Sequence, residues 1–261
     1  MQREIRLFFT ALQFLTRLPV PAWVGYQPQW LQDSVRHFPG VGLLVGGFGA
    51  LVFALAVHAW PPLVAVALCM AATIWLTGAF HADGLADTCE AWGGSVSRER
   101  SLEIMKDSRI GTYGSVALIC MLGLKAAALH ALALGSAHAV ILALPLAHAW
   151  SRLVPVLLLR ALSYAGDAEH AKAKPMSQQA SDASLGIALL WCALAGLGAA
   201  AAGLTLLRVA FAAGVAIAVC VVMGRWLRRR LGGYTGDTLG AAQQFAEVAI
   251  YLALLAHTGA A

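Results

Sequence analysis

Of the chain's 261 residues, 60% are hydrophobic and 12% charged, against about 25% charged in an ordinary soluble domain. That ratio excludes a water-soluble globule, whose surface needs far more ionic cover, and the surplus of Ala, Leu, Val and Gly suits helices packing closely in lipid. A net charge of +5 does not argue for a nucleic-acid partner, because a membrane protein collects Lys and Arg on its cytoplasmic side.

In chain order, the first element is residues 1–21. Arg3 and Arg6 precede an apolar stretch that Arg17 and Pro19-Val20-Pro21 close, without the A-x-A pattern of a cleaved signal peptide. Arg3, Arg6, Thr10, Gln13 and Arg17 recur at spacings of three and four. They make one stripe of an amphipathic helix, lying in the membrane interface or lining the cytoplasmic mouth. Seven stretches then reach the roughly 20 apolar residues a spanning helix needs: 38–59, 62–81, 112–134, 137–160, 184–204, 207–226 and 239–257. Trp60-Pro61-Pro62 and Gly135-Ser136 form tight, uncharged hairpins, and only Arg208 marks the turn between the fifth and sixth spans. The expected fold is a single all-α polytopic membrane domain over 1–261, with about seven transmembrane helices plus the N-terminal amphipathic helix.

The remaining connections, 82–111, 161–183 and 227–238, are long and ionic. With a cytoplasmic N-terminus all three are cytoplasmic. Fifteen of the eighteen Lys and Arg residues then fall inside: Arg3, Arg6, Arg17, Arg36, Arg98, Arg100, Lys106, Arg109, Arg160, Lys172, Lys174, Arg225, Arg228, Arg229 and Arg230. Arg208 alone falls outside, while Lys125 and Arg152 lie within spans. That bias orients the chain with its N-terminus in and C-terminus out. Twelve of the thirteen acidic residues lie on the same side, and the thirteenth, Glu247, sits in the last span. The blank outer face speaks against a transporter, which would present polar groups along a whole pathway.

Three constellations carry chemistry. In His81-Ala-Asp83-Gly84-Leu-Ala-Asp87-Thr-Cys-Glu90 the carboxylates Asp83, Asp87 and Glu90 are spaced i, i+4, i+7 and share one helix face. A divalent cation with oxygen ligands, Mg²⁺ or Mn²⁺, relieves their repulsion, and Gly84 leaves room for a phosphate to approach the backbone. A solvated helix end explains the acidity but not the single-faced spacing. In Arg98–Gly114, Arg100, Glu103 and Asp107 sit at helical spacings beside Arg98, Lys106 and Arg109. Carboxylates for metal interleaved with cations for phosphate oxygens suit phosphoryl chemistry, although a salt-bridged surface helix is the plainer reading. In Gly232–Gly240, Asp237 or Thr238 can cap the last span, whose N-terminus attracts anions. Buried Lys125 or Arg152 is expected to pair with Glu247. His37, His58, His130, His138, His148 and His257 read as packing or interface residues, and the five cysteines (Cys69, Cys89, Cys120, Cys192, Cys220), with no C-x-x-C pair, as packing residues.

These motifs, with Phe14-Leu-Thr-Arg-Leu-Pro-Val-Pro21, Phe38-Pro-Gly-Val-Gly-Leu43, Met105-Lys-Asp-Ser-Arg-Ile-Gly111 and Thr235-Gly-Asp-Thr-Leu-Gly-Ala241, closely resemble the cobalamin synthase family, the adenosylcobinamide-GDP ribazoletransferases. The resemblance runs through nearly the whole chain. It implies transfer of the adenosylcobinamide phosphate moiety of adenosylcobinamide-GDP to α-ribazole, or its 5′-phosphate. The products would be adenosylcobalamin (or its phosphate) and GMP, with Mg²⁺ as cofactor, in a bacterial cytoplasmic (inner) membrane and with the site facing the cytoplasm. On that basis Asp83, Asp87 and Asp107 are expected to hold metal, with Glu90 as a fourth, although Cys89-Glu90-Ala91 departs from the pattern of many relatives. Arg98, Arg100, Lys106, Arg109 and Thr235 are expected at the substrate's phosphates. His81 is expected as the base, with Asp237 as the alternative, and Asp83 in the reacting centre. The expected partners are the two substrates and the lipid bilayer, with no nucleic acid; a homo-oligomer is compatible with the sequence. A CDP-alcohol phosphotransferase also sets spaced aspartates at a membrane helix end, but its motif continues with Ala-Arg after the glycine. Here Asp87 follows Ala86.

Overall fold

The computed structural model describes residues 2–94, 97–107, 109–166 and 180–256; Ser108, Lys172, Lys174 and His257 lie outside them. Eleven α-helices order the described chain: α1 Gln2–Leu15, α2 Pro28–Ser34, α3 Phe38–Ala56, α4 Pro62–Thr77, α5 Phe80–Trp92, α6 Arg98–Lys106, α7 Thr112–Gly135, α8 Ala137–Ala161, α9 Asp182–Ala201, α10 Leu206–Arg230 and α11 Gly236–Ala256. Six helical stretches are long and apolar enough to cross a membrane, α2 and α3 running together as one of them; α4 with α5 makes a seventh if the bent pair is one span. Large apolar side chains such as Leu51, Leu55, Ile119, Leu190 and Val222 stay exposed on the outside, which a lipid environment accepts and water does not. The fold is the all-α polytopic membrane protein that composition predicts.

α8 and α11 form the centre. The α3–α8 contact is close because α3 offers glycines there: a Cβ on Gly42 or Gly46 would collide with the backbone carbonyl of His148 or Leu144. Small residues of this kind let helix backbones meet where lipid supplies no hydrophobic drive between helices.

α1 buries Leu7, Ala11, Leu12 and Leu15 and is pinned through its charged face. Arg3 reaches Asp33 (2.5 Å), while Glu4 takes Arg36 (3.0 Å) and His37 (3.1 Å). His37 in turn accepts from Trp191 of α9 (3.2 Å). Thr10, read as part of the polar stripe, is buried instead and its hydroxyl returns to Arg6 O (2.9 Å). That back-bond satisfies the hydroxyl within the helix, so the position can face the core.

Two boundaries differ from the sequence reading. The span expected over 62–81 stops at Thr77. Gly78 (φ 63°) and Ala79 (φ 59°) both turn left-handed. Gly78 N–H reaches Trp75 O (3.1 Å) and Ala79 N–H reaches Ile74 O (2.9 Å), the paired closure of a Schellman motif. The chain bends by 88° and continues as α5, so much of the connection expected over 82–111 is helical. Arg17 secures this elbow, its N–H donating to Leu76 O (2.8 Å). At the other end α10 runs on through Arg228, Arg229 and Arg230, residues placed by the sequence in the loop 227–238. Cations in a last helical turn meet the negative end of the helix dipole.

Candidate active site

The acidic motif does form one helix, α5, and its faces divide as the spacing predicts. Gly84, Leu85, Ala86, Thr88 and Ala91 are buried, Asp83 is exposed, and Asp87 and Glu90 are half-buried. α5 lies between α7 and α11. At its crossing with α11 a Cβ on Gly84 would sit 2.8 Å from Asp237 O and 3.0 Å from Asp237 Cα. Gly84 therefore serves a backbone-to-backbone contact with Asp237, which corrects the reading of it as a gap for phosphate. The same contact sets the first turn of α11 beside the aspartates of α5.

That turn is built by a reciprocal cap. Thr235 Oγ1 accepts from Thr238 N–H (3.3 Å), and Thr238 Oγ1 accepts from Thr235 N–H (2.9 Å). Thr235, rather than Asp237 or Thr238, occupies the capping position. Its buried hydroxyl is already engaged there and with Met105 Sδ (3.7 Å), so its expected role at the substrate gives way to a structural one. The loop before it is clamped to the end of α8: Ala165 N–H donates to Tyr234 O (2.8 Å) and Tyr234 N–H to Ser163 O (3.0 Å). Burial pushes the Tyr234 phenol up to about 12.

Glu90 also has a different task from the one expected. One of its carboxylate oxygens accepts from Gly114 N–H (2.8 Å), and the carboxylate fills the space where Gly111 lacks a side chain. A carboxylate over the first turn of α7 caps unsatisfied N–H groups and opposes the positive helix end. Asp107 is gripped by Arg109, with contacts of 2.6 and 3.0 Å. The Arg109 side chain, through its hydrogen bonds, holds the Asp107 carboxyl down to about 2. Among the described residues no group of three or more His, Cys, Asp or Glu side chains could hold a metal ion. The expected set of Asp83, Asp87, Glu90 and Asp107 is therefore not assembled as a closed cage.

Three of the four cations expected at phosphate have partners within the protein. Arg98 donates to Ala165 O (3.3 Å), and Arg100 pairs with Glu103 (2.9 Å); Lys106 is exposed. Arg230, in the run of arginines before the last span, donates to Gly94 O (3.2 Å) and tethers α10 to the segment after α5.

His81 parts company with the aspartates. It is 6% exposed and lines a small cavity with Lys125, His148, Arg152 and Glu247. His81 thus faces away from Asp83, while the backbone of Asp237, the alternative, meets α5 at Gly84. The expected intramembrane ion pair is present, and Lys125 is the cation that makes it, 2.5 Å from Glu247. His148, read as packing, belongs to the same cluster. Its spacing of four from Arg152 on one span was the available signal. All five cysteines are unpaired. A larger apolar cavity of about 560 Å³ on the flank of α3 and α4, lined by residues such as Leu55, Trp60 and Trp75, lies away from this chemistry.

The architecture defines a polytopic α-helical membrane protein whose α5 aspartates stand just past the bend between α4 and α5, against the first turn of its last helix. Comparison with known proteins narrows that class. The family described as CobS, Cobalamin-5-phosphate synthase, matches residues 7–255, and the chain belongs to that family. The adenosylcobinamide-GDP ribazoletransferase of Leptothrix cholodnii is 61% identical over 253 residues, covering 97% of this chain and 96% of that protein. Proteins of the same name from Polaromonas naphthalenivorans and Shewanella amazonensis are 42% and 44% identical, covering 97% of this chain and 99% and 96% of their own lengths. No solved structure matches the chain.

Proposed function

We propose that this chain is an adenosylcobinamide-GDP ribazoletransferase, working at the bend between α4 and α5. A hydroxyl of α-ribazole, or of its 5′-phosphate, attacks the phosphorus that carries the adenosylcobinamide. A new P–O bond forms, the bond from that phosphorus to the bridging oxygen breaks, and GMP leaves with the oxygen. Carrying this reading is the placement of Asp83 and Asp87, one turn apart on α5, against the capped start of α11 at Gly84 and Asp237, in a chain of this family.

Mg²⁺ is the cofactor the family resemblance implies, and the donor chemistry fits it as a site shared with substrate. Asp83 and Asp87 offer hard oxygen ligands, and Mg²⁺ is commonly held by one or two carboxylates together with substrate phosphates and water. When bound, it would offset charge on the diphosphate. Asp83 and Asp87 would hold the ion, and the positive end of α11 offers the diphosphate partial charge of the right sign. Asp237 takes the proton of the attacking hydroxyl. Thr235, Thr238 and Glu90 keep the first turns of α11 and α7 in place, so the aspartates stand on rigid elements. We further propose that the site faces the cytoplasm of a bacterial inner membrane, with the N-terminus inside, on the strength of the Lys and Arg bias.

The test is GMP release by purified protein in liposomes, given adenosylcobinamide-GDP and α-ribazole with and without Mg²⁺. Asp83→Asn is expected to lower the rate by on the order of 100-fold or more, as removal of a charge-stabilising group does, with Tm unchanged. A full wild-type rate in Asp83→Asn and Asp87→Asn would remove the aspartates from the mechanism.

A further inference from the structure

Beneath the elbow, three helices and α5 bring together ionisable side chains that the proposed reaction does not use. Lys125 of α7, His148 and Arg152 of α8, and Glu247 of α11 are each at most 3% exposed. Glu247 is engaged on both oxygens: Oε1 accepts from Lys125 Nζ (2.5 Å) and Tyr251 Oη (3.2 Å), and Oε2 from Gln243 Nε2 (2.8 Å). Arg152 donates from Nη1 to His148 Nδ1 (3.1 Å) and to His148 O (2.9 Å). Because Nδ1 accepts, the ring carries its proton on Nε2. That nitrogen lies 3.3 Å from Glu247 Oε1 but lacks the alignment of a hydrogen bond. Arg152 Nε–H is buried and has no partner among the described residues.

Two features of the cluster point to a missing component. It holds two cations against one carboxylate, so the salt bridge between Lys125 and Glu247 leaves the Arg152 charge without a counterion. It also holds more N–H donors than acceptors. The residues that carry both deficits line the same cavity of about 20 Å³, which His81 of α5 and Gln244 of α11 also line. Such a space admits one particle of water size, since about 10–15 Å³ on this measure suffices for a water; a phosphate group is too large. Water would supply the acceptor but not the charge, and an uncompensated cation inside a membrane protein is strongly unfavourable.

We propose that this cavity is a halide site, with chloride held between Arg152 Nε, Lys125 Nζ and His148 Nε2. The anion completes the charge balance and ties α7, α8 and α11 together under the elbow, so it supports the frame on which α5 sits. This inference does not depend on the proposed reaction.

The experiment is thermal unfolding of the purified full-length protein in detergent at fixed ionic strength, exchanging chloride for gluconate. Binding to the folded state alone predicts a saturable rise in Tm. It amounts to roughly 3 to 5 °C per tenfold increase in chloride above half-saturation, with bromide acting like chloride and sulfate without effect. Arg152→Gln removes both the uncompensated charge and the Nε donor, and is expected to abolish the dependence. Bromide-soaked crystals of the wild-type protein should show one anomalous peak between Arg152 and Lys125, a readout that stands even if the variant does not fold. Equal Tm in chloride and gluconate, or a bromide map with no peak in this cavity, overturns the proposal, as does a chloride response undiminished in Arg152→Gln.

Discussion

Asp83 and Glu247 are both carboxylates on helices of a membrane protein, and the molecule treats them in opposite ways. Glu247 is 1% exposed and its two oxygens accept from Lys125, Tyr251 and Gln243. Asp83 is exposed, two residues beyond a histidine that faces inward, on a helix bent 88° away from α4. A buried carboxylate engaged on both oxygens by its neighbours holds α7 and α11 together. An exposed one beside a helix N-terminus keeps capacity for a ligand, at the cost of local charge repulsion. Burial and internal pairing, more than the presence of acidic residues as such, separate the structural cluster from the proposed chemical one.

The sharpest way to break that comparison is to neutralise each carboxylate in turn. Asp83→Asn should lower turnover by on the order of 100-fold or more and leave unfolding untouched. Glu247→Gln should do the reverse. It strands the Lys125 charge in the interior, and breaking one partner of a buried pair costs about 3–5 kcal/mol. The loss should appear in Tm and in the detergent-resistant fraction, and should be partly recovered in the double variant Glu247→Gln/Lys125→Met, in which no lone charge remains. If Glu247→Gln unfolded like wild type while losing turnover, the division between the two regions would fail.

A smaller effect tests what joins them. A Cβ at Gly84 would press on Asp237 O at 2.8 Å and on its Cα at 3.0 Å, backbone atoms that cannot swing aside as a side chain can. Gly84→Ala should cost roughly 1–3 kcal/mol through overpacking and lower GMP release further than the stability loss explains, because it shifts α5 against α11. Intact turnover in a folded Gly84→Ala protein would uncouple the two helices.

How far these regions were legible in the sequence follows from the range of the interactions that build them. The face shared by Asp83, Asp87 and Glu90 is set by helical period alone, so spacing revealed it. Glu90's engagement with Gly114 N–H spans two helices, and no local pattern announces which acid in a row turns toward a neighbouring helix end. The elbow was written at Thr77-Gly78, but hydropathy continued through it and a window of apolar residues masked the stop. Lys125, Arg152 and Glu247 stood out as charges in apolar runs, yet the choice between Lys125 and Arg152 depended on how α7, α8 and α11 rotate about their axes. His81, expected as the base from the family motif, stands two residues before Asp83 in sequence. Two residues along a helix turn a side chain by about 200° at 3.6 residues per turn, which is why it faces the cavity and not the aspartates.

The smallest expected effect concerns Asp107 and Arg109, an exposed pair on the loop before α7. The arginine fork holds the Asp107 carboxyl down to about 2. A carboxyl whose folded value is depressed adds stability above its ordinary range, and loses it as the pH falls toward 2. For a pair this exposed, with Arg109 87% accessible, solvent and salt leave little of that. Arg109→Gln should therefore leave Tm at neutral pH nearly unchanged while returning the Asp107 titration, followed by carboxyl chemical shift, toward the ordinary carboxylate range near 4. If the same substitution also lowered GMP release strongly, Arg109 would belong with Asp83 as a residue that meets substrate, and its ion pair would be the resting arrangement of a phosphate-binding arm. If turnover held, the pair would be a loop contact, and the working part of the site would lie within α5 and the first turn of α11.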